Sequence, residues 1–217
     1  MDHLVQLLKN VNRQSDTTVV EHHYTLDLWD FAGQHVYYAS YPVFLSTRAV
    51  YILVYDLSKE LNDTAQPCFK KGNRKIQLSN PNKETNLENL LSWLVSLRTM
   101  CSLKPDGNEW KTNAEELSYC RPPVFIVGTH ADKPYQDIEE IEWQIQQEIC
   151  GKEYAVHVIR PFFTVDNTQG SSDERVVALQ KQIMEVLKKE PYMGEEVPIR
   201  QVFLVNKNPY SLLVVED

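Results

Sequence analysis

The run Ala49–Leu57, Ala-Val-Tyr-Ile-Leu-Val-Tyr-Asp-Leu, constrains the fold more than any other stretch of the chain. It is almost continuously apolar, rich in β-branched and aromatic residues, and shorter than an ordinary helix. Such a run reads as a strand buried on both faces, and strands of that kind belong to parallel sheets covered by helices on either side. Pro123–Val127 repeats the pattern further along. Tyr154–Phe163 reads as another strand, and Thr17–His22 with Tyr24–Asp30 as a strand pair or hairpin.

Helical patterns separate these runs. Residues 4–11 place Leu4, Leu7, Leu8 and Val11 on one face of a short helix. Thr85-x-x-Glu88 is a capping box that opens a helix with Leu87, Leu90, Leu91, Leu94 and Leu97 as its stripe. From about Gln136 to Cys150, Ile138, Ile141, Ile145 and Ile149 point inward, and Gly151 suits the helix end. Ser172–Lys189 buries Val176, Leu179, Ile183, Val186 and Leu187, and Pro191 stops it. The alternation predicts a doubly wound α/β fold, a mostly parallel sheet with helices on both faces. Ser58–Asn86 reads as an exposed and partly mobile insertion. A second polar insertion, Ser102–Arg121, has a turn signal at Pro105–Gly107. Trp93 and Trp143 are expected to pack, and Asp137–Glu142 to form a solvated face near a helix start, where acids are favourable.

The formal net charge of −8 argues against nucleic acid or an anionic membrane as the main partner. No apolar run approaches the roughly 18 residues of a membrane span. Met1-Asp2-His3 begins no signal peptide. Cys68, Cys101, Cys120 and Cys150 lack metal-like spacing and close pairing, and read as reduced thiols of a cytoplasmic protein. His22 and His23 are adjacent, so on a strand they face opposite ways and cannot easily share a metal.

In such a fold ligands sit beyond the carboxyl ends of the strands, and three strand ends carry unusual residues. The first is Trp29-Asp30-Phe31-Ala32-Gly33-Gln34. There Asp30 suits Mg²⁺ through a bound water, Gly33 lets a backbone N–H approach a γ-phosphate, and Gln34 suits an attacking water. The second is Gly128-Thr129-His130-Ala131-Asp132. Asp132 can accept from the N1–H and N2–H₂ donors of guanine, a pair that adenine lacks. Thr129 braces that loop and His130 packs beside the base. The third is Phe163-Thr164-Val165-Asp166-Asn167, whose backbone N–H groups at Val165, Asp166 and Asn167 can reach the guanine O6. Each string alone has a plain reading: a turn after a strand, a capping Asp beside a surface His, an Asx turn. Their order, each at a strand end, favours the joint reading.

On these residues the chain resembles the Roc (Ras of complex proteins) domain of the Roco family, a P-loop NTPase fold of the Ras-like kind. Trp29–Gln34, Tyr37-Tyr38 and Phe44–Tyr51 look like that family's switch II segment, and Val127–Asp132 like its guanine-specificity loop, with Thr-His where Ras-like proteins have Asn-Lys. Phe163–Asn167 is similar to its fifth motif. Glu196-Val197-Pro198-Ile199-Arg200 resembles the entry into the COR domain. The likeness covers about residues 17–200. It implies GTP/GDP and Mg²⁺ as cofactors, slow GTP hydrolysis, intracellular signalling and pairing with other Roco chains through Roc–COR dimerisation.

The sequence also departs from that pattern. None of its seven glycines begins or completes a G-x-x-x-x-G-K-[ST] string, so the phosphate cradle, its Lys and its Mg²⁺-binding hydroxyl are missing. The switch I Thr is not assigned: Thr17 and Thr18 are the candidates, but they stand close to Asp30 for the family pattern. The family's first strand, which lies between the strand ending at Asp30 and Ala49–Leu57, is missing too. The chain therefore divides into a truncated Roc-like domain over 1–190, the start of COR over 191–200 and a tail over 201–217. In the tail one of two apolar runs, Val202–Val205 or Leu212–Val215, is expected to cover an exposed strand edge. As an enzyme the chain would be a GTPase with nucleotide affinity weak or lost. The alternatives are a nucleotide-independent interaction module and a non-functional fragment of a truncated or mispredicted gene product.

Overall fold

The two apolar runs become the middle of the sheet. The structure, a computed structural model, describes residues 27–32, 45–71, 74–102, 117–193 and 211–216. Strand β1 spans Asp27–Ala32 and β2 Ala49–Asp56. A short pair follows, β3 (Cys68–Lys71) and β4 (Arg74–Gln77), and then helix α1 (Asn86–Ser102). Strand β5 (Val124–Thr129) leads to α2 (Ile138–Ile149), β6 (Phe163–Thr164), α3 (Glu174–Lys189) and β7 (Ser211–Glu216). Five strands form one sheet in the order β1-β7-β2-β5-β6, and every pairing in it is parallel.

Both faces of this sheet are covered, as the unalternating strands require. On one face Tyr51, Leu53 and Tyr55 of β2 and Val124 and Ile126 of β5 pack with Leu90, Trp93, Leu94 and Leu97 of α1 and Ile141, Ile145 and Ile149 of α2. On the other, Val50, Ile52, Val54, Phe125 and Val127 meet Val176, Leu179, Ile183, Val186 and Leu187 of α3. The helix ends follow local chemistry. Thr85 and Glu88 close a reciprocal capping box: the Glu88 N–H donates to Thr85 Oγ1 at 3.1 Å, and the Thr85 N–H to Glu88 Oε2 at 2.8 Å. Asp137 and Asp173 cap α2 and α3. Gly151 follows α2 with φ +73°, a left-handed conformation that costs a glycine little.

The place of the missing first strand, between β1 and β2, is filled by β7, so the expected gap or unpaired edges do not remain. The Leu212–Val215 run, expected only to cover an edge, pairs on both sides. Leu213 stands in register with Trp29 of β1 and with Tyr51 of β2. Two rows of backbone N–H and C=O groups gain partners by this single insertion. Among the described residues β7 alone joins β1 to the rest of the sheet.

Three further expectations give way. The insertion after β2 carries regular structure that the sequence did not suggest. It contains the antiparallel β3–β4 pair, and the Asn80 side chain fastens it by bonds to Ala65 O, Glu84 O and the Glu84 N–H, 2.8–3.1 Å long. Most of Tyr154–Phe163 is not strand: Glu153–His157 is a 3₁₀ turn and only Phe163–Thr164 joins the sheet as β6. Pro161 within that stretch has no N–H to give a ladder. Trp143 is 63% exposed because Ile141 and Ile145 claim the inward face, and a residue two positions from each lies on the opposite side. Trp93 packs as expected. The expected helix over 4–11, the strand over 17–22, the turn at 105–107 and the run 202–205 lie outside the described residues.

Below α3 a buried acid joins the second insertion to the helix end. Glu190 Oε2 accepts from Arg121 Nε at 2.9 Å, and its Oε1 from the Tyr119 hydroxyl at 3.1 Å. Burial pushes the Glu190 carboxyl above its usual range, more than Arg121 and Tyr119 pull it down. A Glu with a raised folded pKa adds stability that is fully present below its unfolded pKa of about 4.3 and is lost as pH rises through the folded value. The wild type should therefore lose stability relative to Glu190→Gln as pH rises through that window. Urea midpoints of both proteins between pH 4 and 8 check this, and parallel curves would refute it.

Candidate functional site

The crevice beyond the carboxyl ends of β2, β5 and β6 is held by bonds between its own loops. The Val165 N–H donates to Gly128 O at 2.8 Å, and the Ala131 N–H returns to Val165 O at 3.2 Å. Thr129 Oγ1 donates to Tyr55 O at 3.2 Å, and the Tyr135 N–H to Leu57 O at 2.9 Å. The loop 128–132 is thereby pinned to β2 on one side and to the loop after β6 on the other. A Cβ at Gly128 would lie 2.9–3.0 Å from Leu57 and Tyr55 side-chain atoms, so the approach of β5 to its neighbour requires a glycine there.

The predicted base-reading residues come together at this crevice with different commitments. Thr129 is the brace just described. His130 sits at φ +59°, a left-handed conformation, and its Nδ1 lies 2.9 Å from Asp56 Oδ1. Asp56 was not among the sequence candidates, although an acid ending an otherwise apolar strand is a readable signal. Burial raises the Asp56 carboxyl, but hydrogen bonds from Ser58, with His130 and Lys59 nearby, hold it below its usual range. Asp132 is exposed, and its carboxylate has no partner among the described residues.

Asp166 is spent inside its own loop. Its Oδ1 accepts from the Thr168 N–H and Oγ1 at 2.8 and 2.6 Å, and its Oδ2 from Gln169 Nε2 at 2.5 Å. Those bonds, Thr168 first, hold the carboxyl below its usual range. Its N–H donates to Asp173 Oδ2 at 2.7 Å. With the Val165 N–H given to Gly128, Asn167 has the one backbone N–H of the three without an acceptor among the described residues.

The other half of the crevice lies beyond β1, β7 and β2. Asp30 is exposed near the end of β1, in register with Val214. Glu216 ends β7 between Ala32 and Val54. Gly33 and Gln34 lie outside the described residues. The guanine base fits what is present: an uncommitted carboxylate on one loop and a free amide on the next. At these strand ends the described residues include Asp30, exposed near the end of β1, and Asp56, with Lys59 4.0 Å from it. Among the described residues no three His, Cys, Asp or Glu side chains are placed to hold a metal ion. A polar cavity of about 660 Å³ beside the β3–β4 pair, lined by Lys59, Asp63, Cys68 and Tyr135, includes none of Thr129, His130, Asp132 and Asn167.

The sequence pattern of the family described as "Ras of Complex, Roc, domain of DAPkinase" matches residues 4–84. The chain is similar to two Dictyostelium discoideum proteins named probable serine/threonine-protein kinases, pats1 (24% identical over 184 residues, 84% of this chain) and roco5 (26% over 171 residues, 79% of this chain). It is 38% identical to a third, roco6, over 115 residues, 53% of this chain. It spans only 3–4% of the length of these relatives. No solved structure matches it. Among the described residues no helix is long and apolar enough to cross a membrane. These likenesses support a Roc domain of the Roco family, a GTPase-like domain of the Ras-like α/β class.

Proposed function

We propose that this chain is a guanine-recognising Roc domain whose phosphate and hydrolysis machinery is impaired. The uncommitted Asp132 carboxylate, held on a loop bonded to the loop that presents the Asn167 N–H, carries the reading. Asp132 accepts from the two guanine donors, the loop amide faces O6, and Thr129 and the His130–Asp56 pair hold the loop in shape. An adenine base would leave the carboxylate unsatisfied, which costs about 1–3 kcal/mol, more for a charged group. Asp30, Gly33 and Gln34 keep the roles of Mg²⁺ site, γ-phosphate sensor and water-positioning residue only in the family sense. The G-x-x-x-x-G-K-[ST] string that would bring a triphosphate to them is absent from the 217 residues.

Titration calorimetry with GMP and AMP tests the base reading. Saturable GMP binding, at least tenfold tighter than AMP and reduced about tenfold or more in Asp132→Asn, is the expected result. Equal binding of the two bases would sink it. Released phosphate from GTP should stay at background.

A second reading is favoured by β7, which completes the sheet without any nucleotide. In it the domain is a cytoplasmic interaction module that pairs with other Roco chains through Roc and the COR-like stretch 191–200, of which 194–200 lies outside the described residues. Dimers whose stability ignores guanine compounds would support this reading.

A further inference from the structure

At the end of β5 far from the guanine crevice stands a buried histidine with no role in base recognition. His157 is 4% exposed and ends the 3₁₀ turn Glu153–His157. Hydrogen bonds join that turn and the residues after it to a strap, residues 119–122, and to the start of β5. The Cys120 N–H donates to Val156 O at 2.6 Å, and the Ile159 N–H to Val124 O at 2.8 Å. Between them His157 Nδ1 lies 3.2 Å from both Cys120 O and Pro122 O. β6 pairs only with Val127 and Gly128 of β5, and Val158 adds a single bridge at Val124. The bonds around His157 therefore hold the cover over the first half of the outer edge of β5.

A carbonyl oxygen only accepts, so Nδ1 carries the ring hydrogen and Nε2 keeps a lone pair. Nε2 is buried and has no hydrogen-bond partner. We infer that His157 is an acid-operated catch: a second proton, which must go onto Nε2, parts the turn from the strap and uncovers the edge of β5. An imidazolium with its new N–H unmet in the interior is costly, and water relieves that cost only when the contact opens. Among the described residues no carboxylate pairs with the ring. Burial holds the His157 imidazole below its usual range, the Arg98 guanidinium of α1 adds to the effect, and the two carbonyls pull the other way without overcoming it. Glu153 of the same turn lies 3.9 Å from Arg98. On the other side of the strap Tyr119 and Arg121 are bonded to Glu190. Glu190 shifts in the opposite sense, so acid steadies that side of the strap while it loosens the His157 side.

A histidine with a lowered folded value contributes stability that is fully present above its unfolded pKa of about 6.5 and is lost as pH falls through the folded value. The catch is thus closed at neutral pH and opens in mild acid. The edge it uncovers presents N–H and C=O groups of the kind that accept an added strand.

Amide hydrogen exchange of the full chain, followed by NMR between pH 7.5 and 5 and corrected for intrinsic rates, tests this. Protection at Cys120 and Ile159 should fall by about threefold or more relative to Leu53 and Ile126 in the sheet. His157→Asn keeps a side-chain donor near the place of Nδ1 but takes up no proton, and should flatten that dependence. The wild-type His157 ring should titrate below the ordinary histidine value of about 6.5. Protection that ignores pH, an equal fall in His157→Asn, or a ring that titrates at or above about 6.5 overturns the inference. Should His157→Asn fail to fold, the two wild-type measurements decide.

Discussion

Val214→Pro is expected to abolish the cooperative unfolding transition, or to lower stability by about 3 kcal/mol or more if a transition survives. Val214 lies mid-strand in β7, with Asp30 on one side and Ile52 on the other. Proline there removes a ladder donor and forces its ring into a strand paired on both edges, a position natural sheets keep free of proline. The loss also releases β1, which no other described strand holds. Urea unfolding followed by far-ultraviolet circular dichroism checks this. A wild-type midpoint would mean that β7 does not form in solution, and the strand order β1-β7-β2 would be wrong.

Trp93→Ala should cost about 3–5 kcal/mol, the usual range for removing a buried tryptophan. Trp93 is 4% exposed on the inner face of α1, and its ring lies 6.5 Å from that of Phe31 at an interplanar angle of 58°. It therefore fills the core and meets β1 from above as well. Trp93→Phe retains an aromatic partner for Phe31 and should recover most of the loss. A denaturant midpoint for Trp93→Ala within about 1 kcal/mol of wild type would show that the α1–β1 contact is not formed.

The parts of this fold legible in the sequence are those whose burial is uniform. β2 and β5 are buried on both faces, so their residues read as unbroken apolar runs. α1, α2 and α3 bury one stripe each, so their leucines, isoleucines and valines recur at helical spacing. The β3–β4 pair escaped because Cys-Phe-Lys-Lys and Arg-Lys-Ile-Gln carry no apolar alternation. Turn bonds and the Asn80 side chain hold that segment instead. β7 was half legible. Its apolarity showed in Leu212–Val215, but apolarity alone cannot say which edges a strand will find, and only the unmet edges of β1 and β2 put it in the centre. At the crevice, the sequence placed Thr129, His130 and Asp132 at a strand end because they follow a buried strand directly. Asp166 was harder to read. An acid that satisfies its own loop and an acid that waits for a ligand are written with the same letter, and the neighbours Thr168, Gln169 and Asp173 decide between them.

The position of β7 also bears on how the chain reaches this structure. Asp27 pairs with Ser211, almost the whole length of the chain away. Closing so long a loop before any contact rewards it makes this pairing a late and slow step. During synthesis β2, β5 and their helices can assemble first, while the facing edges of β1 and β2 wait for a strand not yet made. An open parallel edge is a template for any extended segment nearby, including those of sister chains on one message. The time between release of α3 and arrival of Ser211–Glu216 is therefore when misassembly is most accessible, and shortening that wait should raise soluble yield more than any gain in final stability.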